Sequence, residues 1–443
     1  MSDAAIFHKD WRPAPLWWDD APPFPAEAEL PGRCDVAIIG AGYCGLSAAR
    51  ILAAAGRSVV VLDAGDPGFG AATRNHGMVA GGLRIPVDID QRIGAEDGAE
   101  MRVSARQSFI DFQALIESER LDVDFAHGGR FTGAHTPAAY ARQVRRGEYL
   151  RKTFGYDARP LPREAQRAEI GSEFYYGALL VEESGGLHPA KLHREFRRLA
   201  ERAGAVIVGR AEATGIEGRR GKFTLRTARG PLKAAEIIVA TNAYAGAFNA
   251  TLSPWIRRRI VPVTAYMVAT EELDPALAHE LLPTNRMCGD TKRSLFAFRL
   301  SPDRKRIVFA GRAKFRDIGE REATPILSGF MRAVFPQLAG TRITHTWKGL
   351  VCFTFDDMPH MGVHDGVHYV AGCQGNGVVM MSHLGEQIAR KMLTGATRQN
   401  AFDRPVFPTR PLYLGNPWFL PAIGAYYKAR DSAERWLAAH ASG

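Results

Sequence analysis

Residues 33–82 read RCDVAIIGAGYCGLSAARILAAAGRSVVVLDAGDPGFGAATRNHGMVAGG, and the order of features in this stretch decides the fold. Val36–Ile39 is a short apolar run behind a charged residue, the pattern of a buried parallel strand. Gly40-Ala41-Gly42-Tyr43-Cys44-Gly45 follows as G-x-G-x-x-G. Gly40 permits the sharp turn out of the strand, Gly42 lets backbone approach a pyrophosphate, and Gly45 lets the next helix lie against the sheet. The free N–H groups and positive dipole end of that helix then face the phosphates. Leu46–Ala55, rich in Ala and Leu, predicts the helix, and Gly56 ends it. Ser58–Leu62 predicts the second strand. Asp63 closes it, where an acid hydrogen-bonds a ribose hydroxyl. A glycine turn in an ordinary α/β domain does not require an acid at that strand end. The stretch therefore predicts a dinucleotide-type adenosine site, with Tyr43, Cys44 and Ala64 beside the loop and acid that form it.

Working outward, a chain of 443 residues is too long for one core and predicts two intertwined domains. Hydrophobic content of 46% and a mean hydropathy of −0.17 fit a globular enzyme and exclude a largely disordered chain. Charged residues interrupt every apolar run before membrane-spanning length. The N-terminal residues carry acids and prolines without a signal-peptide pattern, so the expected location is cytoplasmic. The net charge of +10 comes from scattered arginines, with clusters at Arg145-Arg146, Arg219-Arg220 and Arg257-Arg258-Arg259. Solvated surface is the plain reading, and no nucleic-acid module accompanies the charge. The five cysteines, Cys34, Cys44, Cys288, Cys352 and Cys373, are widely spaced without a CxxC. Neither a disulfide framework nor a metal site is expected.

Residues 1–32 are rich in Pro and Trp and read as an extended arm packed through its aromatics. Helical spacing covers Gly98–Arg120, Ala138–Phe154 and Pro189–Ala203. Val123–Thr132 reads as a strand, and so do Val206–Val208 and Glu236–Asn242. Ala211–Glu217 and Lys222–Thr227 alternate around a Gly-Arg-Arg-Gly turn, as a β-meander inserted into a parallel sheet does. Ile260–Ala269, Leu295–Leu300 and Ile307–Ala310 are strand-prone, and Pro325–Phe335 is helical, so a mostly antiparallel sheet layered with helices is expected there. His368–Ala371, the loop Gly372-Cys373-Gln374-Gly375-Asn376-Gly377 and the apolar helix Val378–Leu393 return to nucleotide-domain character. A tail helix covers Ala422–Ala439. The fold class is α/β: a Rossmann-type domain with a β-meander plus an α+β domain. The division is an arm (1–32), a discontinuous nucleotide domain (33–90, 155–255 and 345–400), a second domain (91–154 and 256–344) and a tail (401–443).

Four motifs carry a family resemblance across nearly the whole chain: GAGYCGLSAARILAAAGRSVVVLDAG, GFGAATRNHGMVAGG, IIVATNAYAG, and WKGLVCFTFDDMPHMG followed by YVAGCQGNGVVMMSHLGEQIA. The chain resembles the FAD-dependent amine and amino-acid oxidases of the D-amino-acid-oxidase superfamily. It is most similar to the branch that contains γ-glutamylputrescine, sarcosine and glycine oxidising enzymes. The resemblance implies FAD as cofactor, with Arg74, Asn75, His76 and Gly77 beside the flavin ring. It places the Ala213 backbone near adenine and Ala240 and Thr241 near the phosphates. Gly372, Gly375, Asn376, Gly377 and Val378, at a helix start, fall near the flavin N1–C2=O edge, where negative charge develops on reduction.

The resemblance further implies oxidation of a C–N bond of a small amine or amino acid. Hydride passes to flavin N5, the imine hydrolyses, and electrons leave to O2 with H2O2 formed, or to a quinone or electron-transfer protein. No second glycine fingerprint or redox cysteine pair is present, so electrons enter from a substrate C–H bond. Lys348, in W-x-G, is where the family often has a small residue. It either faces the flavin, promoting oxygen reduction or binding a carboxylate, or is a surface lysine at a strand end. Tyr266 and Arg299 are candidates to line the pocket, each equally readable as core. Relatives that oxidise sarcosine hold its carboxylate with a lysine where this chain has Val378-Val379-Met380-Met381, which points to a bulkier or less acidic amine. Asn75 stands where some relatives attach FAD through histidine, with His76 one position on, and Cys352 is off the cysteine position used by others. FAD is expected to be held non-covalently. His188, His345, His360 and His383 are expected in structural roles.

Overall fold

The glycine loop and its flanks form as the pattern demands. The computed structural model describes residues 5–81, 85–246 and 252–440. Arg33–Ile39 is a strand, Tyr43–Ala54 the helix and Val59–Leu62 the next strand, with Val36 to Ile39 paired in parallel to Val59 to Leu62. The helix starts earlier than its Ala and Leu content suggests because Gly42 serves as its N-cap. These elements lie in an eight-stranded sheet ordered Ala213–Arg219, Lys222–Thr227, Gly230–Val239, Arg33–Ile39, Val59–Leu62, Val206–Val208. One edge of Gly230–Val239 pairs with Arg33–Ile39, and its other edge is divided between two partners. Its first half closes the antiparallel meander, and Ile238 and Val239 pair in parallel with Val367–Ala371. His360–His364 completes the sheet. Glu236–Asn242 was therefore expected too late in the chain: the strand stops at Val239, and Asn242–Gly246 is a 3₁₀ turn.

The second sheet has nine strands, and six of its eight pairings are antiparallel. Its longest pairing joins Ile260–Thr270 to Ile343–Thr354, next to one edge. The arm is not merely packed on the surface: Phe7–Arg12 pairs in parallel with Ile343–Thr354 as an edge strand. Ile343–Thr354, Ala158–Leu161 and Ala178–Val181 all run in this sheet. The expected division at 155 and 345 does not follow the sheets, because composition cannot tell which edge an apolar strand joins. Of the expected Val123–Thr132 strand, Arg130–Thr132 falls in the observed strand Arg130–Gly133, and Ala126 makes an isolated bridge to Gly186.

The helix expected at Pro325–Phe335 spans Glu320–Val334, with Pro325 inside it. Its apolar face packs on Tyr266, Val268, Phe298 and Phe309 of the nine-stranded sheet. Successive residues of a strand face opposite ways. Met267, Ala269, Val308, Ala310 and Trp347 thus line the other face, where they meet Trp17 of the arm. The tail helix runs Leu420–His440.

Candidate active site

Two helix N-termini and two loops build the site. Gly40 has φ +106, and a Cβ there would touch the Ala240 carbonyl, so this turn and the 240–241 loop can approach only through glycine. A Cβ on Gly45 would collide with the Gly40 carbonyl, as expected where a helix lies on its own turn. At Gly42 a Cβ would meet nothing within 4 Å. That open space lies at the N-terminus of Tyr43–Ala54, which has no side-chain cap and no acid in its first turn. The Thr241 hydroxyl is buried without a hydrogen-bond partner among the described residues. The helix Gly377–Thr394 also starts without a side-chain cap. Both helix ends keep orphan N–H donors and partial positive charge for an anionic group.

Asp63 accepts hydrogen bonds from the Ala41 N–H at 3.0 Å and the Gly65 N–H at 3.1 Å. Burial raises its pKa, and these N–H donors oppose the rise. The acid thus shapes the glycine loop, accepting one N–H on each oxygen. Ala64 beside it is exposed. The ring of His193 supports the same loop, donating from Nε2 to the Ala41 carbonyl at 2.7 Å; burial drops its pKa to about 4. Nothing in the sequence around His193 signals that contact, which depends on how the Pro189–Arg202 helix docks.

Two motif residues serve the scaffold. The Tyr43 hydroxyl lies 2.6 Å from the Ala72 carbonyl and 3.0 Å from that of Pro189, pinning the 72–77 loop to the first helix. Cys44 is packed against Gly385 of the later helix, and burial pushes its thiol up to about 12. Ala213 is buried at the start of the meander. The Ala240 N–H donates to the Ile39 carbonyl at 2.9 Å.

The 74–77 loop lies against the nine-stranded sheet. Arg74 donates from Nη1 to the Lys348 carbonyl at 3.2 Å, and its guanidinium stacks 4.6 Å from the rings of both Trp18 and Phe69. The Arg74 and Asn75 carbonyls accept from the indoles of Trp347 and Trp17, each at 2.9 Å. The Asn75 amide donates to the Ala72 carbonyl at 2.7 Å, and its oxygen accepts from the Gly77 N–H at 2.8 Å. His76 is buried and donates from Nε2 to the Val308 carbonyl at 3.1 Å. Its Nδ1 is buried without a partner among the described residues. Burial, with Arg299 adding to it, lowers its pKa to about 3, so the ring is neutral.

Arg299 is 2% exposed. It donates from Nε to the Leu300 carbonyl at 2.9 Å and from Nη1 to the Leu187 carbonyl at 2.8 Å. Among the described residues Nη2 makes no hydrogen bond and no carboxylate lies within ion-pair distance. Burial lowers its pKa to about 10. In the last loop, Gly372 (φ +90) donates its N–H to Asn242 Oδ1 at 3.0 Å, and the Asn376 amide donates to the Ala80 carbonyl at 3.1 Å. Gly375 also has positive φ, and Val378 is buried in the first helical turn.

Lys348 and Tyr266 are not brought to this surface. They are cross-strand partners on the opposite, helix-covered face. Lys348 Nζ pairs with Asp317 at 2.8 Å and also donates to the Ile318 carbonyl at 3.2 Å. The Tyr266 hydroxyl accepts from the Ile318 N–H at 2.8 Å. The period of two decides this: Trp347 faces the loop, so Lys348 faces away. Trp17, Trp347 and His193 are the site residues sequence reasoning missed. The Trp-rich arm carried a signal for Trp17, which it led us to assign to surface packing.

A nucleotide-binding sheet with two bare helix ends, joined to an antiparallel sheet that closes over a buried arginine, defines a flavoprotein oxidoreductase architecture. The chain belongs to the FAD dependent oxidoreductase family, whose sequence profile matches residues 35–391. It is 30% identical over 416 residues to gamma-glutamylputrescine oxidoreductase of Escherichia coli K12, covering 90% of this chain and 93% of that one. It is 23% identical to glycine oxidase of Bacillus licheniformis, over 82% and 93% of the two chains. The crystal structure of glycine oxidase from Geobacillus kaustophilus superposes with a TM-score of 0.70 at 20% identity, over 86% of this chain and 99% of that one. The residues fit FAD: open space at Gly42, the orphaned Thr241 hydroxyl and two uncapped helix ends are what an extended dinucleotide would fill. No helix among the described residues is long and apolar enough to cross a membrane.

Proposed function

We propose that the chain oxidises the C–N bond of a small amine or amino acid that carries a carboxylate, with FAD held non-covalently and dioxygen as electron acceptor. FAD, held by the glycine loop, the 240–241 loop and the start of the Gly377–Thr394 helix, would supply the hydride acceptor for the carbon that bears the amine. The imine left behind takes up water and splits to a carbonyl compound and an amine or ammonia. The observation that carries the substrate class is Arg299. A guanidinium buried without a carboxylate is costly, and a substrate carboxylate at Nη2 offsets that cost. The names of the relatives, a γ-glutamyl amine oxidoreductase and a glycine oxidase, support the same class. His76 holds its ring neutral and leaves Nδ1 as an acceptor facing no protein donor among the described residues. Trp17 and Trp347 wall the site, excluding water from that side.

Non-covalent attachment is supported by Cys352, fully buried with its thiol raised well above its usual value, and by Asn75, whose amide is fully engaged in the loop. Five free, buried cysteines support a reducing compartment, the cytoplasm. Anaerobic mixing with a panel of amines, with and without carboxylates, tests the proposal by flavin bleaching. Bleaching by the carboxylate-bearing members is expected, and none by any member removes the reading. Admission of air should then reoxidise the flavin quickly. Slow reoxidation replaces oxygen with a quinone or electron-transfer protein. Acid precipitation should release the yellow colour to the supernatant; colour in the pellet means a covalent bond.

A further inference from the structure

We propose that a cavity beneath the tail helix is a second ligand site, one that takes a small amphipathic carboxylate. The cavity, about 470 Å³, lies between Leu420–His440 and the helix-covered side of the nine-stranded sheet. That is the volume of a small-molecule site, and it shares no lining residue with the flavin-facing surface. Its apolar lining includes the rings of Phe174, Phe296, Phe315 and Phe330. Its charge is one-sided. Lys292, Lys428 and Arg435 line it with Arg312, Lys314 and Arg316, against the single carboxylate of Asp431.

That carboxylate is already committed. Asp431 accepts from the Arg293 and Ser294 N–H groups and from the side chains of both. Lys314 and Arg316 share Glu322 between them. Arg435 stacks on the Phe174 ring at 3.9 Å, with no carboxylate in ion-pair range among the described residues. Lys292 Nζ sits 2.8 Å from the centre of the Phe296 ring and 3.8 Å from Asp290. Its side chain is only 8% exposed. Ring faces attract cations more weakly than a desolvated carboxylate does, so Arg435 on Phe174 and Lys292 on Phe296 each stand to gain from a carboxylate in the cavity. A fully hydrated inorganic anion gains nothing from the phenyl rings. An aryl or acyl body with one carboxylate satisfies both the rings and the cations.

The test is isothermal titration of the FAD-loaded protein with 4-phenylbutyrate and octanoate, with 4-phenylbutanamide as the uncharged control. Saturable binding of the carboxylates is expected, with the flavin absorption bands unmoved. Arg435→Gln should weaken binding at least about tenfold, as loss of a charge-assisted hydrogen bond does. Ala333→Trp, at the cavity wall, should block it. Retained flavin and an unchanged melting temperature show that the variants fold; if Arg435→Gln does not, Lys428→Gln reads the same charge from an exposed position. The proposal is overturned by no binding at millimolar carboxylate, by equal binding of the amide, by unchanged affinity in the folded variants, or by flavin band shifts that an amine substrate reverses. The last result would place the carboxylate at the flavin and leave the proposed reaction standing.

Discussion

Arg299 and Lys348 lie on opposite faces of the nine-stranded sheet, and their surroundings set opposite expectations for mutation. Lys348 is partly exposed and paired with an Asp317 that is largely exposed. Such pairs contribute about 0–1 kcal/mol. Lys348→Met should therefore leave turnover and flavin reoxidation within about twofold in stopped-flow traces, because the carbonyl that receives Arg74 is unchanged. A tenfold slower reoxidation would return the side chain to the site. Arg299 has no such freedom. Arg299→Gln should raise KM for carboxylate-bearing amines by about 10–100-fold, the range of a lost charge-assisted bond. Arg299→Lys should recover part of the loss, since lysine keeps the charge but not the fork. Turnover of an amine lacking the carboxylate should change little in either variant, with flavin content intact. Equal losses for both substrate types would reduce Arg299 to a scaffold that ties Leu187 and Leu300 together.

At the scale of the element, the glycine loop separates folding from cofactor binding. Gly45→Ala puts a methyl into the Gly40 carbonyl and should destabilise the first helix and the holoprotein together. Gly42 has φ −85, which alanine adopts freely, and its methyl would enter open space. Gly42→Ala should cost the apoprotein about 1 kcal/mol or less, the difference between glycine and alanine at an N-cap. It should weaken FAD binding sharply, because the methyl stands where phosphates approach the helix end. Comparing apo melting temperatures with FAD titrations resolves the two. If Gly42→Ala binds FAD normally, the pyrophosphate does not pass there. This loop was legible in the sequence because the features that define it are local: strand, turn, helix and acid follow in order within 33–63, while His193 and the 240–241 loop only buttress it from afar. The Glu320–Val334 helix was only half legible, since Pro325 masks the turn before it, where the Thr324 hydroxyl donates to the Glu320 carbonyl. The fold class and the four glycine-bearing segments could be read. Sheet membership of Ile343–Thr354 could not, nor which of its alternate side chains meets the 74–77 loop. Both depend on register with strands far away in the chain. The same holds for Trp17, whose place depends on the arm joining that sheet's edge.

Buried histidines tie separate elements of the whole molecule together, and this gives stability a definite pH dependence. His76 ties the 74–77 loop to Val308 of the nine-stranded sheet, His193 holds the glycine loop, and His383 joins its helix to Ser104. Burial is the first cause of the depressed pKa in each, to about 3, about 4 and about 4. The native state keeps all three neutral, whereas the unfolded chain protonates them below about pH 6.5. The unfolded state thus binds more protons, and stability must fall as pH drops from 6.5 toward 4, by up to about 1.4 kcal/mol per pH unit for each group. Carboxylates with depressed pKa, such as Glu236 at about 2, act in the same direction but only below the ordinary carboxylate range near 4.5. From pH 6.5 to 5 the histidines therefore dominate, opposed by Asp290, which burial raises to about 6 so that the native state binds its proton before the unfolded chain does. Denaturant unfolding across this interval should show a midpoint that falls with pH, because His135, His188 and His345 are depressed as well and the lowered histidines outnumber the raised carboxylates; the slope of that fall reads the net proton difference. His383→Asn, remote from the glycine loop and the 74–77 loop, should lower that slope by about one proton while leaving the flavin in place. A midpoint that stays level between pH 7 and 5 would mean that these rings, His76 included, are charged in the native state, and His76 would then have no bare Nδ1.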